Sequence, residues 1–328
     1  MDTSRVPEAL QPPEGPEGRK MLRVVSVSLG SSKRNKTVIV QMLGQPFSIE
    51  RVGVDGDFEK ARDLIRELDG KVAAIGLGGT DLYLVAGRHR YVIEQTRRLA
   101  EAARVTPVVD GSGLKNTMER ETVRWLAVCG GLGLASRKVL VVSAVDRFGM
   151  AEAFVEAGCE TIFGDLIFGL GLPLPVRSLK TIERLAAVLL PVLRRLPIKV
   201  LYPSGKAQER TRPKHGRYFE WADIVAGDFH FIRRHLPERL ERKIIVTNTT
   251  TEEDVALLKE RGLDVLVTTT PELDGRSFGT NVMEGVLVAL AKKRPDEMRP
   301  EDTMRLLYRL GWQPRMVHLQ APPVAEAE

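Results

Sequence analysis

The sequence predicts an α/β protein in two parts, a C-terminal doubly wound parallel sheet and an N-terminal mixed α/β domain that begins with an antiparallel meander. Three observations predict it. From Arg137 onward, short apolar strands alternate with amphipathic helices, the pattern of parallel βαβ units. Residues 23–54 instead hold three strand-like segments separated by glycine-containing turns, as in a meander. The chain, at 328 residues, is long enough for two separate cores.

The expected boundaries are a disordered tail over 1–20, an N-terminal domain over 21–130, a Rossmann-like nucleotide-binding domain over 131–295, and a C-terminal helix with a disordered tail over 296–328. Pro7, Pro12, Pro13 and Pro16 with few apolar neighbours mark the first tail. Arg23–Leu29, Thr37–Leu43 and Pro46–Val54 read as the meander, Gly30–Asn35 being a loop. Asp57 caps a helix with apolar positions Ala61, Leu64, Ile65 and Leu68, and Gly70 ends it. Strands follow at Val72–Leu77 and Asp81–Val85, and a helix at Glu94–Ala103. The strand Pro107–Val109 leads to the loop Asp110-Gly-Ser-Gly113 and a long helix from about Asn116 to Val128.

In the second part, Val139–Ser143, Thr161–Gly164, Lys199–Leu201, Asp223–Ala226, Lys243–Val246 and Val265–Thr268 read as strands. Phe148–Ala157 and Ser178–Leu193 read as helices between them. Thr251 and Asp254 form a capping-box pattern. Asn281–Lys292 reads as a last helix packed back on this second sheet.

Charge narrows the function. Net charge is +6, but 49 basic residues face 43 acidic ones, and aromatic content is 5%. That balance argues against nucleic acid. No apolar run approaches the roughly 18 residues of a membrane span. Cys129 and Cys159 have neither disulfide nor metal spacing and read as buried thiols. The expected protein is cytoplasmic, without membrane or nucleic-acid partners, and compatible with a homo-oligomer.

Ligands of open parallel sheets bind at the carboxyl ends of the strands. The residues there are Asp146 and Arg147, Asp165, Asp228, Thr247 and Asn248, and Thr268. The first turn gives only the last glycine of a dinucleotide fingerprint, Gly149, and puts Asp146 where the middle glycine belongs. The helix start at Phe148 still offers free amides, and Asp165 stands where an acid accepts ribose hydroxyls, which favours NAD over NADP. Asp146, Arg147, Gly149, Asp165, Thr247, Asn248 and Thr268 are therefore the expected cofactor residues. In the loop after Val109, Lys115 and Asp110 are the expected acid–base pair. The glycine-rich turn Gly76–Asp81 at a strand end reads equally as part of a site or as plain turn chemistry, His230 reads by default as a packed histidine with proton transfer beside Asp228 as the alternative, and Lys206–Arg217 reads as a basic loop that closes over an anion.

Five blocks carry a resemblance: Val24-Val-Ser-Val-Ser-Leu-Gly-Ser31, Val109-Asp-Gly-Ser-Gly-Leu-Lys-Asn-Thr117, Val145-Asp-Arg-Phe-Gly-Met-Ala-Glu152, Ala226-Gly-Asp-Phe-His-Phe-Ile-Arg-Arg234, and the run from Thr268 to Asn281. Over about residues 22–293 the chain resembles a bacterial family labelled quinate 5-dehydrogenase. The resemblance implies NAD(P)-linked oxidation of quinate to 3-dehydroquinate. The well-understood quinate and shikimate dehydrogenases carry a GAGG-type turn and an Asn-x-Thr-x-Pro-x-x-Lys motif. Here the turn is Ser143-Ala-Val-Asp-Arg147 and the second motif is missing. The roles of Lys115 and Asp110 thus rest on their own positions. Two other readings stand beside the dehydrogenase: a transferase-type enzyme using another nucleotide, and a non-catalytic sensor of an anionic metabolite. All three take a small anionic or polyhydroxylated ligand.

Overall fold

The computed structural model describes residues 20–87, 89–196, 215–270, 272–273, 276–277 and 279–320. The expected strand Lys199–Leu201 and most of the basic stretch Lys206–Arg217 lie outside them.

The protein is α/β, with two main sheets. The first contains β1 (Leu22–Ser28), β2 (Lys36–Met42), β3 (Gln45–Gly53), β4 (Ala74–Gly78) and β7 (Val108–Val109), in the order β2-β3-β1-β4-β7. A hairpin of β5 (Tyr83–Ala86) and β6 (His89–Val92) stands apart from it. The expected meander is corrected here. β3 runs parallel to β1, with Val24 opposite Ile49, and only β2 is antiparallel. The reason lies in burial. Val24 and Val25 on β1 face opposite sides and are both buried, so both faces of β1 are covered, as in the parallel part of a sheet, and β3 and β4 flank it. β2 alternates exposed and buried residues, the pattern of an edge strand.

Asp57 caps α1 (Phe58–Leu68) by accepting from Lys60 N at 3.0 Å. α1 and α2 (Glu94–Ala100) cover one face of this sheet, over Val25, Val27, Ile75 and Leu77. α3 (Ser112–Val128) covers the other and leads into the second sheet.

The second sheet is built by β8 (Lys138–Val141), α4 (Phe148–Glu156), β9 (Glu160–Phe163), α5 (Leu179–Leu193), α6 (Gly216–Trp221), β10 (Ile224–Gly227), α7 (Phe229–His235), β11 (Ile244–Thr247), α8 (Glu252–Glu260) and β12 (Val265–Thr268). Thr251 and Asp254 form the capping box of α8. Alternate strand residues feed two cores, Val139 and Val141 on one side and Leu140 and Val142 on the other.

After the short hairpin β13 (Glu272–Leu273) and β14 (Arg276–Ser277), the chain crosses back. α9 (Thr280–Ala291) does not pack on the second sheet as expected. It lies on the first, with Val282, Met283, Val286 and Leu287 against Val24, Phe47 and Ile49. α10 (Pro300–Arg309) adds Leu306 and Leu307 to the same core. β15 (Arg315–His318) then returns antiparallel to β12, giving the order β15-β12-β11-β10-β8-β9. Among the described residues no helix is long and apolar enough to cross a membrane. Cys129 is exposed at the end of α3 rather than buried, while Cys159 is half-buried and its Sγ donates to Leu134 O at 3.2 Å.

Candidate functional site

Taking only the parallel strands in chain order, the second sheet reads 2-1-3-4-5. The order reverses between β8 and β10, and a doubly wound sheet opens its crevice there. The turns after these two strands carry Asp146-Arg147 and Asp228. Arg147 is buried with a guanidinium that bonds three ways: to Asp146 Oδ2 at 3.0 Å, to Asp228 Oδ2 at 2.8 Å, and to Glu119 Oε1 on α3. Asn248, after β11, donates to Asp228 Oδ2 at 2.9 Å. An ion network thus staples the switch point shut.

The first sheet supplies the other wall. α3 begins at Ser112, four residues earlier than expected, so Lys115 falls in its first turn. Its start is held by carboxylates: Ser112 N donates to Asp110 Oδ1 at 3.1 Å and Gly111 N to Glu284 Oε2 at 2.7 Å. Gly111 takes φ 91°, and a Cβ there would stand 2.6 Å from Thr280 Oγ1, so a side chain would meet both strain and a clash. Lys115 Nζ donates to Asp81 Oδ1 at 2.5 Å and lies 3.7 Å from Asp146 Oδ1. Beside this contact, Tyr83, Ser112, Lys115, Asn116, Glu119 and Asp146 help to line an open pocket of about 300 Å³ counting the solvent at its mouth, within which the cavity proper is about 10 Å³, the room of one water.

The lysine's partner corrects the expected pair. Asp110 is buried and accepts backbone N–H groups of Leu82 (2.6 Å), Tyr83 (3.0 Å) and Ser112. It shapes the walls, and Asp81 stands against the lysine instead. Burial works against the Lys115 ammonium, but Asp146 and Asp81 outweigh it and raise its pKa. Lys115 is therefore a charged donor and not a base. Burial likewise opposes the Arg147 charge, and Glu119, Asp146 and Asp228 overcome it. Burial pushes Glu119 up to about 7, against the pull of Arg147 and Lys115. Glu119 is the pocket-lining group that exchanges a proton near neutrality.

The remaining expected cofactor residues are engaged elsewhere. Asp165 accepts from Ala144 N at 3.0 Å and Val145 N at 2.9 Å, bracing the β8–α4 turn, while burial pushes it up to about 6. Thr247 is buried and donates to Gly227 O at 2.7 Å, and Thr268 is buried within β12. A Cβ on Gly149 would stand 2.4 Å from Asn116 Oδ1 and 2.5 Å from Asn116 O. α3 thus already occupies the space over the start of α4. With that space filled, Asp146 salt-bridged at the middle-glycine position and Asp165 spent on the turn, these residues do not fit a dinucleotide pyrophosphate and ribose. His230 is exposed and not packed; the buried histidine is His235, its ring 5.0 Å from Phe168.

Sequence reasoning missed Asp81 and Glu119. Glu119 could have been found, since it lies four residues after Lys115 and so shares its helix face. Asp81 ends the glycine-rich turn after β4, which read equally well as plain turn chemistry.

Comparison with known proteins gives little chemistry. No curated protein matches the chain in sequence. Among solved structures, it is similar to L-tryptophan dehydrogenase from Nostoc punctiforme (11% identity, 89% of this chain and 80% of that one, TM-score 0.38). It is also similar to GanP, a glucose-galactose binding protein from Geobacillus stearothermophilus (10%, 93% and 100%, 0.35), and to a periplasmic ribose ABC transporter protein from Conexibacter woesei (10%, 89% and 98%, 0.36). Likeness at this level assigns neither ligand nor reaction. Residues 23–110 match a domain of unknown function (DUF8753), and residues 113–319 match another (DUF8754). The second match spans more than half of the chain, which therefore belongs to the DUF8754 family.

Proposed function

We propose that the pocket between α3 and the β8–α4 turn binds a small polyhydroxylated ligand that is not an anion. The observation that carries this reading is the charge of the network: four carboxylates, Asp81, Glu119, Asp146 and Asp228, against two cations, Lys115 and Arg147. Hydroxyls donate to carboxylates and accept from an ammonium, so such a wall suits a polyol. An anion would add charge to a site already in excess of it. Tyr83 stands at the pocket edge with the Arg90 guanidinium stacked on its ring, 3.2 Å from the centroid. The rival reading, nicotinamide-linked oxidation of a hydroxyl, is favoured by one feature, the Lys115 ammonium against Asp81 beside the pocket.

Calorimetric titration with sorbitol, quinate and NADH separates the readings. Sorbitol is expected to bind more tightly than quinate, and Lys115→Ala to weaken it more than about fivefold, the loss of one or more charged hydrogen bonds. Micromolar binding of NADH together with tighter binding of quinate than of sorbitol would overturn the proposal.

A further inference from the structure

The pocket wall holds an acceptor that the protein leaves idle. Glu119 gives Oε1 to Arg147, while its Oε2 has no hydrogen-bond partner, and the side chain is only 1% exposed. The same residue lines the pocket. A buried carboxylate oxygen without a donor is costly, and the pocket is where a donor can arrive.

We propose that the ligand carries an ammonium group beside its hydroxyls, a small amino-polyol, and that this ammonium donates to Glu119 Oε2. The inference rests on the hydroxyl-binding reading above and names the group that reading leaves open. A ligand hydroxyl would satisfy Oε2 but leave untouched the excess of two negative charges that the network carries when Glu119 is ionised. An ammonium satisfies it and halves the excess. The resident cations do not forestall it. Lys115, one turn away on the same helix, is held by Asp81 and Asp146. Arg147, from the β8–α4 turn, is held by Asp146 and by Asp228 behind it.

Those groups, with Asp81 from the turn after β4, are the charges around Glu119. Burial places Glu119 at about 7, so near neutrality part of the protein carries its proton. Binding an ammonium favours the ionised form and expels that proton. Affinity for the amine therefore rises with pH, by about tenfold between pH 6 and pH 8, the change in the ionised fraction for a pKa near 7.

The test is calorimetry on the full chain with 1-amino-1-deoxysorbitol against sorbitol at pH 6 and pH 8, in two buffers of different ionisation enthalpy. The amine stays protonated throughout this range. We expect it to bind at least tenfold more tightly than sorbitol at pH 8, with proton release near pH 7. Glu119→Gln, which keeps an acceptor for Arg147, is expected to abolish both the release and the preference. Equal binding of the two ligands, or a preference that survives in Glu119→Gln, overturns the inference while leaving the hydroxyl reading intact. If neither ligand binds, the hydroxyl reading fails and this one with it. The wild-type arms decide the matter even if the variant does not fold.

Discussion

Both sheets reverse their strand order beside their first strand, at β1 and β4 in one and at β8 and β10 in the other, yet the two crevices are filled by opposite chemistry. In the first sheet the crevice between β1 and β4 is lined by small hydroxyls, with Arg51 from β3 donating to Ser28 Oγ at 3.0 Å. Ser26 and Ser28 are buried there, and Asn281 from the start of α9 wedges in, donating to Ser26 Oγ at 2.8 Å. Gly76 leaves it room, since a Cβ would stand 3.0 Å from Asn281 O. In the second sheet the same place holds Arg147 among three carboxylates. Topology makes a crevice in both, and side chains decide its use. The neutral wedge completes a core, whereas the charged staple leaves an unbalanced field and an unpaired acceptor on a pocket-lining residue.

The largest effect is expected where charge is most deeply buried. Arg147→Met removes the cation and leaves Glu119, Asp146 and Asp228 without it. Breaking a buried pair in this way costs about 3–5 kcal/mol, read by urea denaturation. A loss under about 1 kcal/mol would mean that the carboxylates find other partners and that the second crevice is no more tightly built than the first.

Acid–base behaviour sharpens the same contrast. Burial raises Glu119 and Glu284 to about 7 from an ordinary 4.5, and Asp165 to about 6 from 3.8. An acid with a raised folded-state pKa binds its proton more tightly in the folded protein. Its contribution to stability is complete below its unfolded value and is lost as pH rises through the folded one. Stability is thus expected to fall between about pH 4.5 and pH 7, by about 1–3 kcal/mol for each well-buried group. Thermal unfolding of Glu119→Gln should show a flatter pH profile than the wild type; an unchanged slope would remove Glu119 from the titrating set.

Much of the fold was legible in the sequence, and the reasons are local. Val139–Val141 and Val265–Val267 are buried on both faces and read as continuous apolar runs. Asp57, Gly70 and Thr251 mark helix ends by chemistry that needs no partner from afar. What failed depends on distant contacts. The β2–β3 hairpin was readable, but its place beside β1 follows from which faces are covered. Helix α9 is apolar nearly all round, so its pattern does not say which sheet it serves. At the site, Lys115, Asp146 and Arg147 were legible and converge. Glu119 was hidden in the charged run Glu119-Arg120-Glu121, the look of a solvated helix surface. Asp110 and Asp165 had the right residue type at strand ends, but backbone amides claim both.

Two glycine substitutions test the crowding of the two crevices. Gly149→Ala would bring a Cβ to 2.4 Å from Asn116 Oδ1 and 2.5 Å from its backbone oxygen, and a backbone atom cannot swing away. The expected cost is about 1–3 kcal/mol, as for overpacking. Gly78→Ala meets Ser28 Cβ and Oγ at 3.0 Å, contacts that a few tenths of an ångström relieve, so its cost should be under about 1 kcal/mol. Equal losses in chemical denaturation would show that the β8–α4 turn yields as readily as the first sheet.

The smallest effect belongs to Ser26. Its hydroxyl accepts from Asn281 Nδ2, and both residues sit where α9 meets β1 and β4. Ser26→Ala removes the acceptor and leaves the amide of Asn281, which is only half-buried, with access to water. A neutral hydrogen bond of this kind contributes about 0.5–1.5 kcal/mol, so the loss should fall in that range. If the first crevice is only a wedge, Ser26→Ala should leave sorbitol affinity within about twofold of the wild type, whereas Lys115→Ala should not, because a lost charged hydrogen bond weighs about twice as much. A fall in affinity in Ser26→Ala comparable to that of Lys115→Ala would give the first crevice a part in binding, and the contrast between the two sheets would have to be redrawn.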